Sequence, residues 1–147
     1  MKVHQLSLFL ENRTGQLRAP AEALGAAGID ILTLSLADTA QFGILRLVVE
    51  DWQRGKQVLE ATGAVVNVTE VVPVEVADRP GGLGEVLAAI DGAGLGIEYM
   101  YALAASRGSG RAVIVFRFDD PDRAAAALQT RGVRVLDAPE FFRAARR

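Results

Sequence analysis

Leu6-Ser7-Leu8-Phe9-Leu10-Glu11-Asn12-Arg13-Thr14-Gly15-Gln16-Leu17 recurs sixty-six residues later as Val72-Pro73-Val74-Glu75-Val76-Ala77-Asp78-Arg79-Pro80-Gly81-Gly82-Leu83. Each stretch alternates apolar and other residues, turns through a short polar segment with a glycine, and meets a leucine that opens a helical pattern. Alternation predicts a strand with one buried face, carried by Leu6, Leu8 and Leu10 in the first copy and by Val72, Val74 and Val76 in the second. A duplicated strand–turn–helix predicts two copies of one small domain and two copies of one site, which points to recognition rather than catalysis.

The pattern continues outward in both copies. Leu17, Ala21 and Leu24 mark a helix closed at Gly28, with Pro20 tolerated in its first turn. A second strand is expected over Ile29–Leu36 and a third over Gly43–Glu50, after a turn at Asp38–Gln41. A second helix carries Val58, Leu59 and Thr62 to a stop at Gly63, and a fourth strand runs from Val65 to Glu70. In the second copy Leu83, Val86, Leu87 and Ile90 give helical spacing up to Gly94. Strands follow at Ile97–Ala104 and Arg111–Phe118. Asp120-Pro121 opens a helix with proline in its first turn, Ala124, Ala127 and Leu128 lead it to Gly132, and Val133–Leu136 is the last strand. The offset grows to sixty-nine by Gly63 and Gly132, which puts the extra residues near Ser106–Gly110.

Each copy therefore reads as βαββαβ, the ferredoxin-like arrangement of an α+β fold with an antiparallel sheet. The expected division is 1–70 for the first repeat, 71–137 for the second, and 138–147 for a tail in which Ala138–Ala145 forms a short amphipathic helix. Units of this size have thin cores. Ile31, Leu32, Leu34 and Leu36 put apolar groups on both faces of the second strand, so side-by-side pairing of repeats, and of chains in a homodimer, is expected to cover them.

Composition narrows the function classes. The 147 residues are 50% hydrophobic and 23% charged, enough for a core. A net charge of -2 argues against a general nucleic-acid binder, and the basic end Arg143–Arg147 reads as a solvated terminus. There is no cysteine, which removes disulfides, thiolate metal sites and cysteine nucleophiles. Neither a membrane-spanning run nor a signal peptide is apparent, so cytoplasmic location is the expectation.

The segments Glu11-Asn12-Arg13-Thr14-Gly15-Gln16-Leu17 and Asp78-Arg79-Pro80-Gly81-Gly82-Leu83 resemble the first strand–helix turn of ACT domains, regulatory modules of amino-acid metabolism. The first is similar to that of the acetolactate synthase regulatory subunit. The second matches the family's Asp-x-Pro-Gly-x-Leu form more fully. Gly28-Ile29-Asp30-Ile31 and Gly94-Leu95-Gly96-Ile97 resemble the family's approach to its second strand. The resemblance implies that the repeats pair and bind a free amino acid between the turn of one and the second strand of the other. One site would join Asp78, Arg79, Pro80, Gly81, Gly82 and Leu83 with Ile31, Leu32, Thr33 and Leu34. The other would join Asn12, Arg13, Thr14, Gly15, Gln16 and Leu17 with Ile97, Glu98, Tyr99 and Met100. Tyr99 and Tyr101 would give the second of these an aromatic wall.

Elementary chemistry suits that role. A helix N-terminus favours a carboxylate, glycine lets backbone approach closely, and Asn12 or Asp78 can accept from an α-ammonium group. Backbone geometry also accounts for such glycines, and Asn12 and Asp78 are ordinary helix-capping residues. The copies differ at Thr14 against Pro80, at Gln16 against Gly82, and at Thr33-Leu34-Ser35 against Tyr99-Met100-Tyr101, so two unequal sites are expected.

No catalytic set emerges. His4, the single histidine, lies near a strand start without a partner base. Ser106–Gly110 has a phosphate-loop composition but joins two strands. Asp119, Asp120 and Asp122 sit where a helix dipole favours them. The expectation is a non-enzymatic regulator without cofactor or metal, with a free amino acid as effector and a biosynthetic enzyme as a further partner. The alternative is an adaptor subunit that docks on such an enzyme and binds no ligand.

Overall fold

The computed structural model describes residues 2–11, 13–38, 42–103 and 109–146. The expected turn at Asp38–Gln41 and the loop at Ser106–Gly110 fall largely on residues outside that set. Two compact units are resolved: His4–Thr69, and Met1–Val3 with Glu70–Arg147.

The first unit contains β1 (Val3–Glu11), α1 (Arg18–Ala26), β2 (Thr33–Asp38), β3 (Phe42–Val48), α2 (Trp52–Glu60) and the start of β4 (Val66–Ala77). Its strands run in the order β2-β3-β1-β4. In the antiparallel register Leu6 faces Leu47 and Leu8 faces Leu45, and Leu34 and Leu36 of β2 face the same two residues. Leu6, Leu8, Leu24 and Leu59 are fully buried, so the leucines expected to face inward form the core. Full burial of each stabilises the unit by roughly 1.5–3 kcal/mol. Leu34 and Leu36 share that face but lie on the outer strand and are half-exposed. His4 is stacked on Trp52 with ring centroids 4.7 Å apart, which is a packing role.

The second unit contains the rest of β4, α3 (Gly82–Gly92), β5 (Ile97–Leu103), β6 (Arg111–Phe118), α4 (Pro121–Thr130) and α5 (Ala138–Ala145). Its strand order is β4-β6-β5, antiparallel throughout. Val74, Ile90, Phe116, Phe118 and Leu128 build its core, with the two phenylalanines stacked. The tail helix α5 forms as expected, held by a capping box between Asp137 and Glu140, and buries Phe141.

Three expectations are corrected. The fourth strand of the first repeat and the first strand of the second are one twelve-residue strand, β4, because nothing between Val66 and Val72 breaks an extended chain. The second strand of the first repeat begins at Thr33 rather than Ile29. Gly28, with φ +71°, closes α1 through a bond from Ile29 N–H to the Leu24 carbonyl, and this spends the intervening residues. The last strand, Val133–Leu136, reduces to a single bridge between Val135 and Val74. The carbonyl of Pro73 accepts from Leu136 N–H at 2.9 Å, but proline has no N–H to return, and α5 starts directly afterwards.

The registers also locate the insertion. Thr33 pairs with Val48 and Tyr99 with Arg117, whereas Glu11 pairs with Phe42 and Ala77 with Arg111. The repeat offset is sixty-six through the second strands and sixty-nine from the third, so the three extra residues lie between β5 and β6.

Candidate ligand sites at the two strand–helix turns

β1 ends on Glu11, and its chain turns through Arg13–Leu17 before α1. Asn12 lies outside the described residues. Gly15 has φ +88°, a left-handed conformation that side chains resist, and among the described residues no atom lies within 4 Å of where a Cβ would stand. Arg13 doubles back, its N–H donating to the Glu11 carbonyl at 2.8 Å and its Nε lying 2.7 Å from Glu11 Oε2. A cavity of about 100 Å³ opens beside this turn, lined by Leu10, Glu11, Arg13, Gln16, Leu17, Leu36 and Gly43. It brings together three of the expected turn residues, Arg13, Gln16 and Leu17. From β2 the cavity takes Leu36, a residue not among those expected at the site. Ile31 and Leu32 precede β2, Thr33 is buried, and Leu34 is half-exposed.

The second turn follows β4 and repeats the backbone hydrogen bonds of the first, but its helix starts at Gly82, the position of Gln16, whereas α1 starts at Arg18. Gly81 also has φ +88°. Asp78 N–H donates to the Gly110 carbonyl and Arg79 N–H to that of Ala77, fixing the loop against the start of β6. Arg79 reaches forward to Glu85 Oε1 at 2.6 Å, whereas its counterpart Arg13 reaches back to Glu11. Gly82 is buried, and a Cβ there would overlap the carbonyl oxygen of Ala77, so this position accepts no side chain. Asp78, Pro80 and Leu83 are exposed. Ile97, Glu98, Tyr99 and Met100 lie on β5, and Glu98 pairs with Arg117 at 3.3 Å. Met100 shares the sheet face of Phe116, while Tyr99 and Tyr101 share the opposite face with Arg117 and Val115. The counterpart of Leu36 in this register is Ala102, on the face of Met100 rather than of the tyrosines.

The helix starts separate these turns from every other strand–helix junction. Asp51, Asp120 and Asp137 cap α2, α4 and α5, each carboxylate accepting from the backbone N–H three residues on. The residues at the start of α1 and α3, Leu17 and Gly81, cap nothing with a side chain. Asp78, expected as a cap, stands three residues before the cap position of α3. Helix N-termini carry unpaired N–H groups and partial positive charge, a combination suited to a carboxylate.

A separate cavity of about 390 Å³ in the second unit contains none of the expected residues; Lys2, Glu70, Asp122 and Asp137 are among its lining. Asp122 and then Glu70, hydrogen-bonded to the Lys2 ammonium, hold its pKa above the ordinary lysine value. No group of three or more His, Asp or Glu side chains among the described residues is arranged to hold a metal ion. No helix among them is long and apolar enough to cross a membrane.

The family model described as an ACT domain pair matches residues 1–141. The chain belongs to the ACT domain family. The structure of protein BT0572 from Bacteroides thetaiotaomicron superposes on this ACT domain pair with a TM-score of 0.88 and 34% identity, covering 97% of this chain and 96% of that one. The regulatory subunit of aspartate kinase from Thermus thermophilus shares the fold, with a TM-score of 0.63 and 16% identity over 88% of this chain and 93% of that one. The corresponding subunit from Thermus flavus gives 0.60 and 17% over the same shares. No curated protein matches the sequence. The tandem ACT architecture read from the repeat is thereby established.

Proposed function

We propose that this ACT domain pair is a non-catalytic regulatory protein that binds a free amino acid at its strand–helix turns. The observation that carries the reading is the contrast in helix caps. Three helices have an aspartate on their first N–H groups, and the two that follow the glycine turns have none. A ligand carboxylate is the missing acceptor in this reading, with Asp78 offering a negative partner to the ammonium group. The half-exposed Leu34 and Leu36 on β2 favour a second copy of the chain closing over the first turn. The signal then passes in trans, to a biosynthetic enzyme; the aspartate kinase regulatory subunits that share the fold lend that partner class its support.

A thermal-shift screen against the twenty amino acids tests this directly. A ligand that binds only the folded chain stabilises it by about 2.7 kcal/mol at one hundred times its Kd. One amino acid, or a chemically related group, is expected to raise the melting temperature, and Asp78→Ala to reduce the rise. A flat response to all twenty at about 10 mM, the upper end of what this linkage requires for millimolar binding, removes the sensor reading. The adaptor reading would then stand.

A further inference from the structure

Along the second unit a groove of about 500 Å³ lies beside the outer edge of β4, where the ladder to Val133–Leu136 stops after one bridge. Its floor is apolar, with Val76 and Val86 buried and Ala89 and Val133 partly so. Its rim is not. Arg111, Arg131 and Arg134 supply three guanidinium groups against two carboxylates, Glu75 and Glu85. Glu75 is shared: Oε1 accepts from Arg111 and Oε2 from Arg134 Nε at 2.9 Å. Glu85 is already engaged by Arg79. Arg134 also lies 3.5 Å from Glu140, whose other oxygen is committed to the cap of α5. Arg131 donates to the Gly92 carbonyl at 2.5 Å, an uncharged partner, so its positive charge is not neutralised there. A chain of net charge -2 thus carries a local cationic surplus around one apolar trough.

The repeat shows that this surplus is a built feature. By the registers and the paired glycines, Glu75, Arg111, Arg131 and Arg134 occupy the positions of Phe9, Phe42, Thr62 and Val65 in the first unit. There Phe9, Phe42 and Val65 are uncharged and at least 49% exposed. Four positions distant in sequence differ together, and all four line one groove in the second unit.

We infer that this groove is a second binding site, for a small organic anion with a carboxylate or phosphate head and a short apolar body. The head pairs with Arg131 and Arg134, whose forked donors suit both groups. The body lies on Val76, Val86 and Ala89. The volume is in the range of small-molecule sites. The groove reaches Ala77 and Gly82 and so adjoins the second turn, but the inference does not depend on an amino acid binding there.

Glu75 makes the test sharp, because as a competitor for two guanidinium groups it should oppose the ligand. Calorimetric titration of the full chain, at constant low ionic strength, uses n-butyl phosphate and butanoate as probes and n-butylammonium as control. At least one anion is expected to bind with one-to-one stoichiometry, and the ammonium is not. Arg134→Gln should weaken that binding about tenfold or more, the usual scale for a charge-assisted hydrogen bond. Glu75→Gln should tighten it several-fold by releasing Arg111 and Arg134, an effect that a merely structural ion pair would not produce. The amino-acid response should survive both changes. Absence of binding by both anions at tens of millimolar, or affinity that Arg134→Gln and Glu75→Gln leave unchanged or lower alike, overturns the inference.

Discussion

At the first turn Gln16 stands where the second turn has Gly82, and the two positions lead different lives. Gln16 borders a small cavity with Leu17 and Leu36. Gly82 is pressed against the Ala77 carbonyl and allows nothing beyond a hydrogen. The arginines of the two turns diverge as well, Arg13 folding back on Glu11 and Arg79 reaching forward to Glu85. Yet both turns keep a glycine at φ +88°, and at both the cap residue of the following helix, Leu17 or Gly81, makes no side-chain cap bond. What the duplicates share is the glycine turn with its arginine and leucine; what they have exchanged is Asn12 for Asp78, Thr14 for Pro80 and Gln16 for Gly82. Equal affinity at the two turns would therefore be surprising on chemical grounds.

The largest expected effect tests how differently the two positions are packed. Gly82→Ala places a methyl group into backbone that can yield only by moving β4 or α3, and should destabilise the chain by roughly 3 kcal/mol or more. Gln16→Ala at the matching position trims a half-buried side chain that already has a Cβ, and should cost less than about 1 kcal/mol. Urea unfolding followed by circular dichroism measures both. Similar values for the two would mean that the second turn relaxes as freely as the first.

The inward faces of both repeats were legible because a strand's period of two writes burial directly into sequence, as at Leu6-Leu8-Leu10 and Val72-Val74-Val76. The tail helix was legible from the amphipathic run Ala138–Ala145 with its apolar pair Phe141-Phe142, while its Asp137 cap came from the structure. The lost last strand was not, because its cause sits sixty residues upstream, in the N–H that Pro73 lacks. The facing of Tyr99 and Tyr101 depends on the strand register, and register is fixed by pairing with Arg117 and Val115. The charged groove was missed for the same reason: Glu75, Arg111 and Arg134 meet only through tertiary contacts. A signal was available, though, in the exchange of Phe9, Phe42 and Val65 for those three residues. Aligning the repeats for their differences, and not only for their likeness, would have found it.

Next in size is the contrast between capped and uncapped helices. Asp120→Ala removes the acceptor for Arg123 N–H, and should cost about 1 kcal/mol whether or not an amino acid is present. Asp78 makes no such cap. Its replacement by alanine should alter stability by less than about 0.5 kcal/mol in the free chain and lower the ligand-induced shift. Unfolding free energies with and without the best thermal-shift amino acid separate the two behaviours. A loss at Asp78 as large as at Asp120, independent of ligand, would make Asp78 a structural residue.

The smallest effect on stability comes from carrying the groove's charges into the first unit. Phe9→Glu with Phe42→Arg and Val65→Arg replaces three exposed apolar groups, so each change should move stability by no more than about 0.5 kcal/mol. The new charges sit in solvent, where an ion pair contributes about 0–1 kcal/mol and salt screens it. The signature is therefore in how stability depends on salt rather than in its size: the triple variant should lose stability as sodium chloride rises, more than the natural chain does. Because it removes exposed phenylalanine, the same variant should also associate less in sedimentation experiments if a second copy covers that face. The reverse exchange, Glu75→Phe with Arg111→Phe and Arg134→Val, should reduce the salt dependence and promote association. If neither exchange alters salt dependence or association, the divergence at these positions has no bearing on surface chemistry, and the position-by-position comparison of the repeats loses its force.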